Sequence, residues 1–118
     1  MAIGIDAEIH DKLPEGVLDM VALENERKWL RSMRGDDIHW DRVLFSVKES
    51  IYKAWFPIAG SWLGFKDVVV SFHPDSGRFF ARLLVPGPVV DGRILTHYHG
   101  NYLIEEERVL TTVSLPVS

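Results

Sequence analysis

The sequence predicts an α+β fold, an antiparallel sheet packed against one long central helix. Three observations carry this. His39 to Phe56 repeats apolar residues at a helical period, over a span long enough for a central helix. The last fifty or so residues break into short strand-like runs separated by turn residues. The helical segments come before that block and do not alternate with it, which points to α+β and away from a parallel βαβ sheet. With 118 residues, the chain is long enough for one domain with its own core.

Taken in order, Ala2 to Ile9 alternates, with Ile3, Ile5 and Ala7 on one side and Gly4, Asp6 and Glu8 on the other, as a strand does. His10 to Gly16 is a polar loop carrying Pro14, and Val17 to Val21 is a short helical turn. Leu23 to Met33 is a helix with Leu23, Trp29, Leu30 and Met33 inward. Its Arg27, Arg31 and Arg34 share a face, read either as solvated or as a docking surface for an acidic partner, and Gly35 ends it. Asp36 and Asp37 are candidate N-caps for the central helix. At ~100° per residue, Trp40, Val43, Leu44, Val47, Ile51, Ala54 and Trp55 form a broad apolar face. Phe45, Tyr52 and Phe56 form a second strip that contains Glu49, with Lys53 one turn on. Pro57 stops this helix, and Ala59 to Phe65 is a connection. Val68 to His73 and Arg78 to Val85 make a hairpin about Pro74 to Gly77. Pro86-Gly87-Pro88 breaks the chain, and Ile94 to Tyr98, Tyr102 to Glu105 and Arg108 to Leu115 are three more strands. Glu105-Glu106-Glu107 is a charged turn, and the four tryptophans are expected in the core.

Composition narrows the function. Hydrophobic residues at 47% and charged residues at 25% read as soluble and globular, with no apolar run long enough to span a bilayer and no signal-peptide layout. The absence of cysteine excludes disulfides, thiolate metal sites and cysteine nucleophiles, and fits a reducing, cytoplasmic location. A net charge of -4 gives no nucleic-acid footprint, so an anionic ligand needs a metal ion or a local basic patch.

The candidate chemistry lies in two places. Asp6 and Glu8, at i and i+2 on a strand, project from one face about 6–7 Å apart and can reach one hard cation; magnesium suits such a pair. The alternative is a solvated strand face. Glu49 is either a further oxygen ligand, a general base, or half of an ion pair with Lys53; Lys48 and Lys53 are candidates for phosphate oxygens. His97 and His99 share a strand face without a third ligand, and His39 reads as the start of a helix.

Gly4-Ile5-Asp6-Ala7-Glu8, followed about forty residues on by Phe45-Ser46-Val47-Lys48-Glu49-Ser50-Ile51-Tyr52-Lys53-Ala54, resembles the paired signature of the 4′-phosphopantetheinyl transferases. With Trp55-Phe56-Pro57 and Trp62-Leu63-Gly64-Phe65, it looks like the Sfp type. The resemblance implies transfer of 4′-phosphopantetheine from coenzyme A to a serine of an acyl or peptidyl carrier protein, giving 3′,5′-ADP. It implies Mg²⁺ on Asp6, Glu8, the Ala7 carbonyl and Glu49, with Glu49 otherwise the base. Lys48 and Lys53 would then hold the coenzyme A phosphates, and Leu63 would border the pantetheine arm. Sfp-type enzymes have two similar halves with the site between them, and the first motif opens the second half. Here that motif follows Met1, and the basic residues and serine–histidine pair of a first half are missing. The expectation is a single domain over residues 1–118 resembling the C-terminal half, completed by a first half or by another copy of the chain. The alternative is a non-catalytic half acting as a binding or assembly module.

Overall fold

The computed structural model describes residues 2–33, 35 and 37–116, so Arg34 and Asp36 lie outside the described residues. Strand β1 (Ala2–Ile9) leads through a loop to helices α1 (Val17–Val21), α2 (Glu24–Ser32) and α3 (Trp40–Ala59). A 3₁₀ turn (Phe65–Asp67) opens the strand block β2 (Val68–His73), β3 (Arg78–Leu83), β4 (Val89–Val90), β5 (Arg93–Ile94), β6 (His97–Glu105) and β7 (Arg108–Ser114). Five of these form an antiparallel sheet in the order β1-β7-β6-β3-β2, and β4 and β5 pair separately.

The predicted apolar face of α3 is the core. Trp40, Val43, Leu44, Val47, Ile51, Ala54 and Trp55 are all buried, against Val68, Phe79, Ala81, Tyr98, Val109 and Val113 of the sheet. Each large apolar side chain buried this way contributes about 1.5–3 kcal/mol before conformational entropy is subtracted. Trp29, Trp40, Phe72 and Tyr102 close the α2 end as an aromatic cluster with ring centres 5.1–5.6 Å apart.

Several elements differ from expectation. Pro57 does not stop α3: the helix runs on to Ala59 without the bond that a Pro57 N–H would have made to the Lys53 carbonyl, and Gly60 ends it at φ 67° with its N–H on the Phe56 carbonyl. Asp37 does not cap α3. The N-cap is His39, whose backbone N–H donates to His10 Nε2 at 3.0 Å. The two strands expected about 94–105 are one, β6, continuous through Gly100. A side chain at Gly100 would meet the Thr112 carbonyl and the Phe79 ring, so the glycine marks close packing within the strand and not a break. The β4–β5 hairpin was unforeseen, although Asp91-Gly92, both at positive φ, carries its sequence signal. Trp62 is 74% exposed and is no part of the core. No helix among the described residues is long and apolar enough to cross a membrane.

The contact that matters most for the site is between β1 and α3. A Cβ built on Gly4 would lie 2.2 Å from the Ser50 carbonyl oxygen. Only a residue without a side chain lets the strand approach the helix this closely. Gly4→Ala should therefore destabilise the chain by about 1–3 kcal/mol, read as a lower denaturation midpoint in urea with an unchanged slope.

Candidate active site

Strand alternation places Asp6 and Glu8 on one side of β1, and the fold turns that side inward. Asp6 is only 5% exposed, while Ile5 and Ile9 on the opposite side are mostly exposed. The polar face of the strand is thus the buried one, and the solvated-face reading of the pair fails for Asp6. A buried carboxylate needs partners. Asp6 Oδ1 accepts from Lys53 Nζ at 2.8 Å, and Oδ2 accepts from Ser46 Oγ at 2.9 Å. Ser46 lies beside Thr111 on β7, whose hydroxyl donates to the Ser46 carbonyl at 3.1 Å. Glu8 is paired with Arg42 at 3.3 Å.

The acids interact. Burial, then a hydrogen bond shared with Asp6 and that residue's charge, push the Glu8 carboxyl up to about 7 against the opposing pull of Arg42. Glu49, half-buried on α3, is also raised, first by burial and then by the charge of Asp6, with Lys53 opposing. Lys53 is raised chiefly by its hydrogen bond to Asp6, and the charges of Asp6, Glu49 and Glu8 add to this. The structure therefore brings Asp6, Glu8 and Lys53 together and sets Glu49 within electrostatic reach. Among the described residues, no three His, Cys, Asp or Glu side chains stand in a metal-holding arrangement, so Glu49 does not close a ligand trio here.

Ala7 contributes backbone. Lys53 Nζ donates to the Ile5 carbonyl at 3.2 Å, while the His10 N–H donates across to Glu107 in the β6–β7 turn. Carbonyls two residues apart on a strand point the same way, so the Ala7 carbonyl shares the free edge of β1 with that of Ile5. Leu63 is buried and lines a cavity of about 210 Å³ with Glu49, Tyr52, Trp62, Phe65 and the stem of Lys48.

Lys48 does not join the acids. Its ammonium is buried and donates to Glu26 Oε1 at 2.7 Å and to the carbonyls of Val21 and Phe65, each at 2.8 Å. Glu26 in turn accepts from the backbone N–H groups of Leu23 and Val70. All three Lys48 donors are taken, which leaves none for a phosphate and departs from the expectation for this residue. The helical period already separates the two lysines: five residues turn ~140°, whereas Glu49 and Lys53, four apart, share a face. Of the basic stripe, Arg27 pairs with Asp19, and Arg31 with Glu24 at 3.2 Å.

The sequence profile of the 4′-phosphopantetheinyl transferase superfamily matches residues 2–113. The chain belongs to that superfamily. It is 49% identical over 116 residues to the 4′-phosphopantetheinyl transferase Svp of Streptomyces mobaraensis, covering 97% of this chain and 47% of that protein. It is 45% identical to PptT of Mycobacterium tuberculosis (97% of this chain, 52% of that protein) and 43% identical to Npt of Nocardia iowensis (96% and 54%), both 4′-phosphopantetheinyl transferases. The chain spans about half the length of these curated relatives.

In this member of the superfamily the acids have helpers that sequence reasoning missed: Arg42, Ser46 and Thr111. Arg42, Ser46, Glu49 and Lys53 fall at i, i+4, i+7 and i+11, a single stripe of α3, and that spacing was legible. Thr111 had no such signal, because strand pairing alone brings it opposite Asp6.

The raised Glu8 carboxyl predicts a pH dependence in the metal-free chain. From its ordinary value near 4.5 up to about 7, the folded chain keeps a proton that the unfolded chain has lost. Stability therefore falls as pH rises through that window. Denaturation in a chelating buffer at about pH 5 and about pH 7 should show a loss that Glu8→Gln largely removes. Lys48→Met, which strands the buried Glu26 carboxylate, should cost about 3–5 kcal/mol, and restoring part of that by adding Glu26→Gln would show up in a double-mutant cycle.

Proposed function

We propose that this chain is the acid- and metal-bearing half of a transferase that moves 4′-phosphopantetheine from coenzyme A to a serine of an acyl or peptidyl carrier protein. The observation that carries the reading is the meeting of Asp6 and Glu8 on the inward face of β1 with Glu49 and Lys53 on the adjacent stripe of α3. Superfamily membership supports it. Residues 1–118 would act as one unit equivalent to a C-terminal half, in the cytoplasm, where coenzyme A and unmodified carriers would be met.

The residues fit a magnesium ion. Asp6 and Glu8 are hard oxygen donors on one face of β1, within hydrogen-bonding reach of each other, as a pair sharing one cation must be. Asp6 and Glu8 would hold the ion, with the Ala7 carbonyl available to complete it. When bound, the ion would offset the charge of the coenzyme A diphosphate. Glu49, raised by burial, is a stronger base than an exposed carboxylate and takes the proton of the serine hydroxyl. The serine oxygen bonds to the phosphorus that carries the pantetheine arm, the bond to the bridging oxygen breaks, and 3′,5′-ADP leaves. The Lys53 ammonium stays charged beside the acids and steadies the growing negative charge on the 5′-phosphate of the leaving 3′,5′-ADP. The cavity bordered by Leu63 and Trp62 opens beside Glu49 and suits the thin pantetheine arm. The remaining phosphates need more positive charge than Lys53 provides. The rest of a longer protein, or another copy, would supply that wall.

In the complete enzyme, Glu49→Gln should lower kcat by about 10²–10⁴ with the fold and coenzyme A affinity retained; near-normal turnover would remove Glu49 from its role. Coenzyme A titrated with and without Mg²⁺ checks the site itself. Binding that needs the ion and leads to transfer supports the enzyme, whereas binding without transfer to any carrier supports a non-catalytic module.

A further inference from the structure

We propose that Arg42 is a resident counter-ion that keeps the Asp6–Glu8 pair from holding a bare divalent cation tightly, so that the ion is retained well only together with the anionic substrate. This rests on the metal reading above and deepens it.

Two cations face the pair, and they differ in how they are held. Lys53 is about half exposed and reaches Asp6 along a flexible stem. Such a group can swing toward a phosphate when one arrives. Arg42 is only 17% exposed. Its guanidinium donates through Nε to the Asp11 carbonyl at 3.0 Å and through Nη2 to the Lys12 carbonyl at 3.1 Å, leaving Nη1 on Glu8. The planar fork is pinned by the loop that follows β1 and cannot leave without undoing that loop. A metal ion entering between Asp6 and Glu8 would therefore meet a fixed positive charge on the far side of Glu8. A divalent ion and a unit charge several ångströms apart repel enough, even in a water-like medium, to cost roughly tenfold in affinity. An anionic diphosphate arriving with the ion reverses that balance, because it is attracted by both Arg42 and Lys53.

A purely structural Arg42 makes the opposite prediction. If it only held Glu8 and the loop, its removal would loosen Glu8 and weaken the cation. The test is Mn²⁺ titration of the full chain, followed by electron paramagnetic resonance without coenzyme A. Thermal melts check that each variant is folded. Arg42→Gln should bind Mn²⁺ roughly tenfold more tightly than the wild type, and Arg42→Lys, which keeps the charge, should stay near wild type. Arg42→Met serves in place of the glutamine variant if that one does not fold. Unchanged or weaker Mn²⁺ binding by the charge-removing variants overturns the counter-ion role. A different result would overturn the metal reading: no Mn²⁺ bound by the folded wild type or by any Arg42 variant, or binding that survives Asp6→Asn together with Glu8→Gln.

Discussion

The site depends on β1 lying almost directly on α3. At Gly4 the strand comes within side-chain distance of the Ser50 carbonyl, closer than any other residue type permits. Two residues later that approach delivers Asp6 into the interior, onto Ser46 and Lys53. A carboxylate so buried is tolerable only because both oxygens have partners there. Opening the β1–α3 contact would return Asp6 to water and separate it from the stripe carrying Glu49. The distance between strand and helix thus sets both the local packing and the electrostatics of the acids.

Charge compensation follows from that geometry. Asp6 has Lys53, Glu8 has Arg42, and among the described residues Glu49 has no ion pair of comparable closeness, only the longer-range pull of Lys53 against burial and Asp6. Burial raises the carboxyls of Glu8 and Glu49 first, and three acids facing two cations add to it through the charge of Asp6. An incoming cation relieves that excess of acid most directly. The same burial and acid charge that disfavour the ionised form of Glu49 make it a stronger base than an exposed carboxylate.

Much of the fold was legible because its elements carry strong periods. The apolar face of α3, the bounds of β1 and β2 and the turn at Pro74 to Gly77 all follow from spacing and turn residues. Signals with two physical meanings were not. Gly100 reads as a break in sequence and is a close-packing position in space. Pro57 reads as a stop, yet α3 runs through it to Ala59 at the loss of one ladder bond. Period-2 alternation put Asp6 and Glu8 on a common face but could not say which face would be buried, because the apolar side of β1 looked like the inner one. At the site, the motif residues were legible and the Arg42 and Ser46 stripe was available in the spacing, whereas the Asp6–Thr111 proximity exists only once β1 pairs with β7.

The two lysines of the second motif show how one short helical segment serves both fold and chemistry. Lys48 turns toward the body of the protein, where its three donors join α1, the Glu26 of α2 and the chain just before β2. Glu49, ~100° further round, faces the cavity whose wall includes Phe65, the residue whose carbonyl Lys48 holds. Lys53 lies one turn beyond Glu49, at the rim with Asp6. The motif therefore sets a scaffold residue next to a pocket-lining one, so that the wall of the pocket and the acid that faces it are fixed to the same turn of helix. A buried ion pair adds little net stability over a well-packed apolar pair. Lys48 ties α1, α2 and the Phe65 turn to α3 through three acceptors, beside the cavity that Glu49 lines.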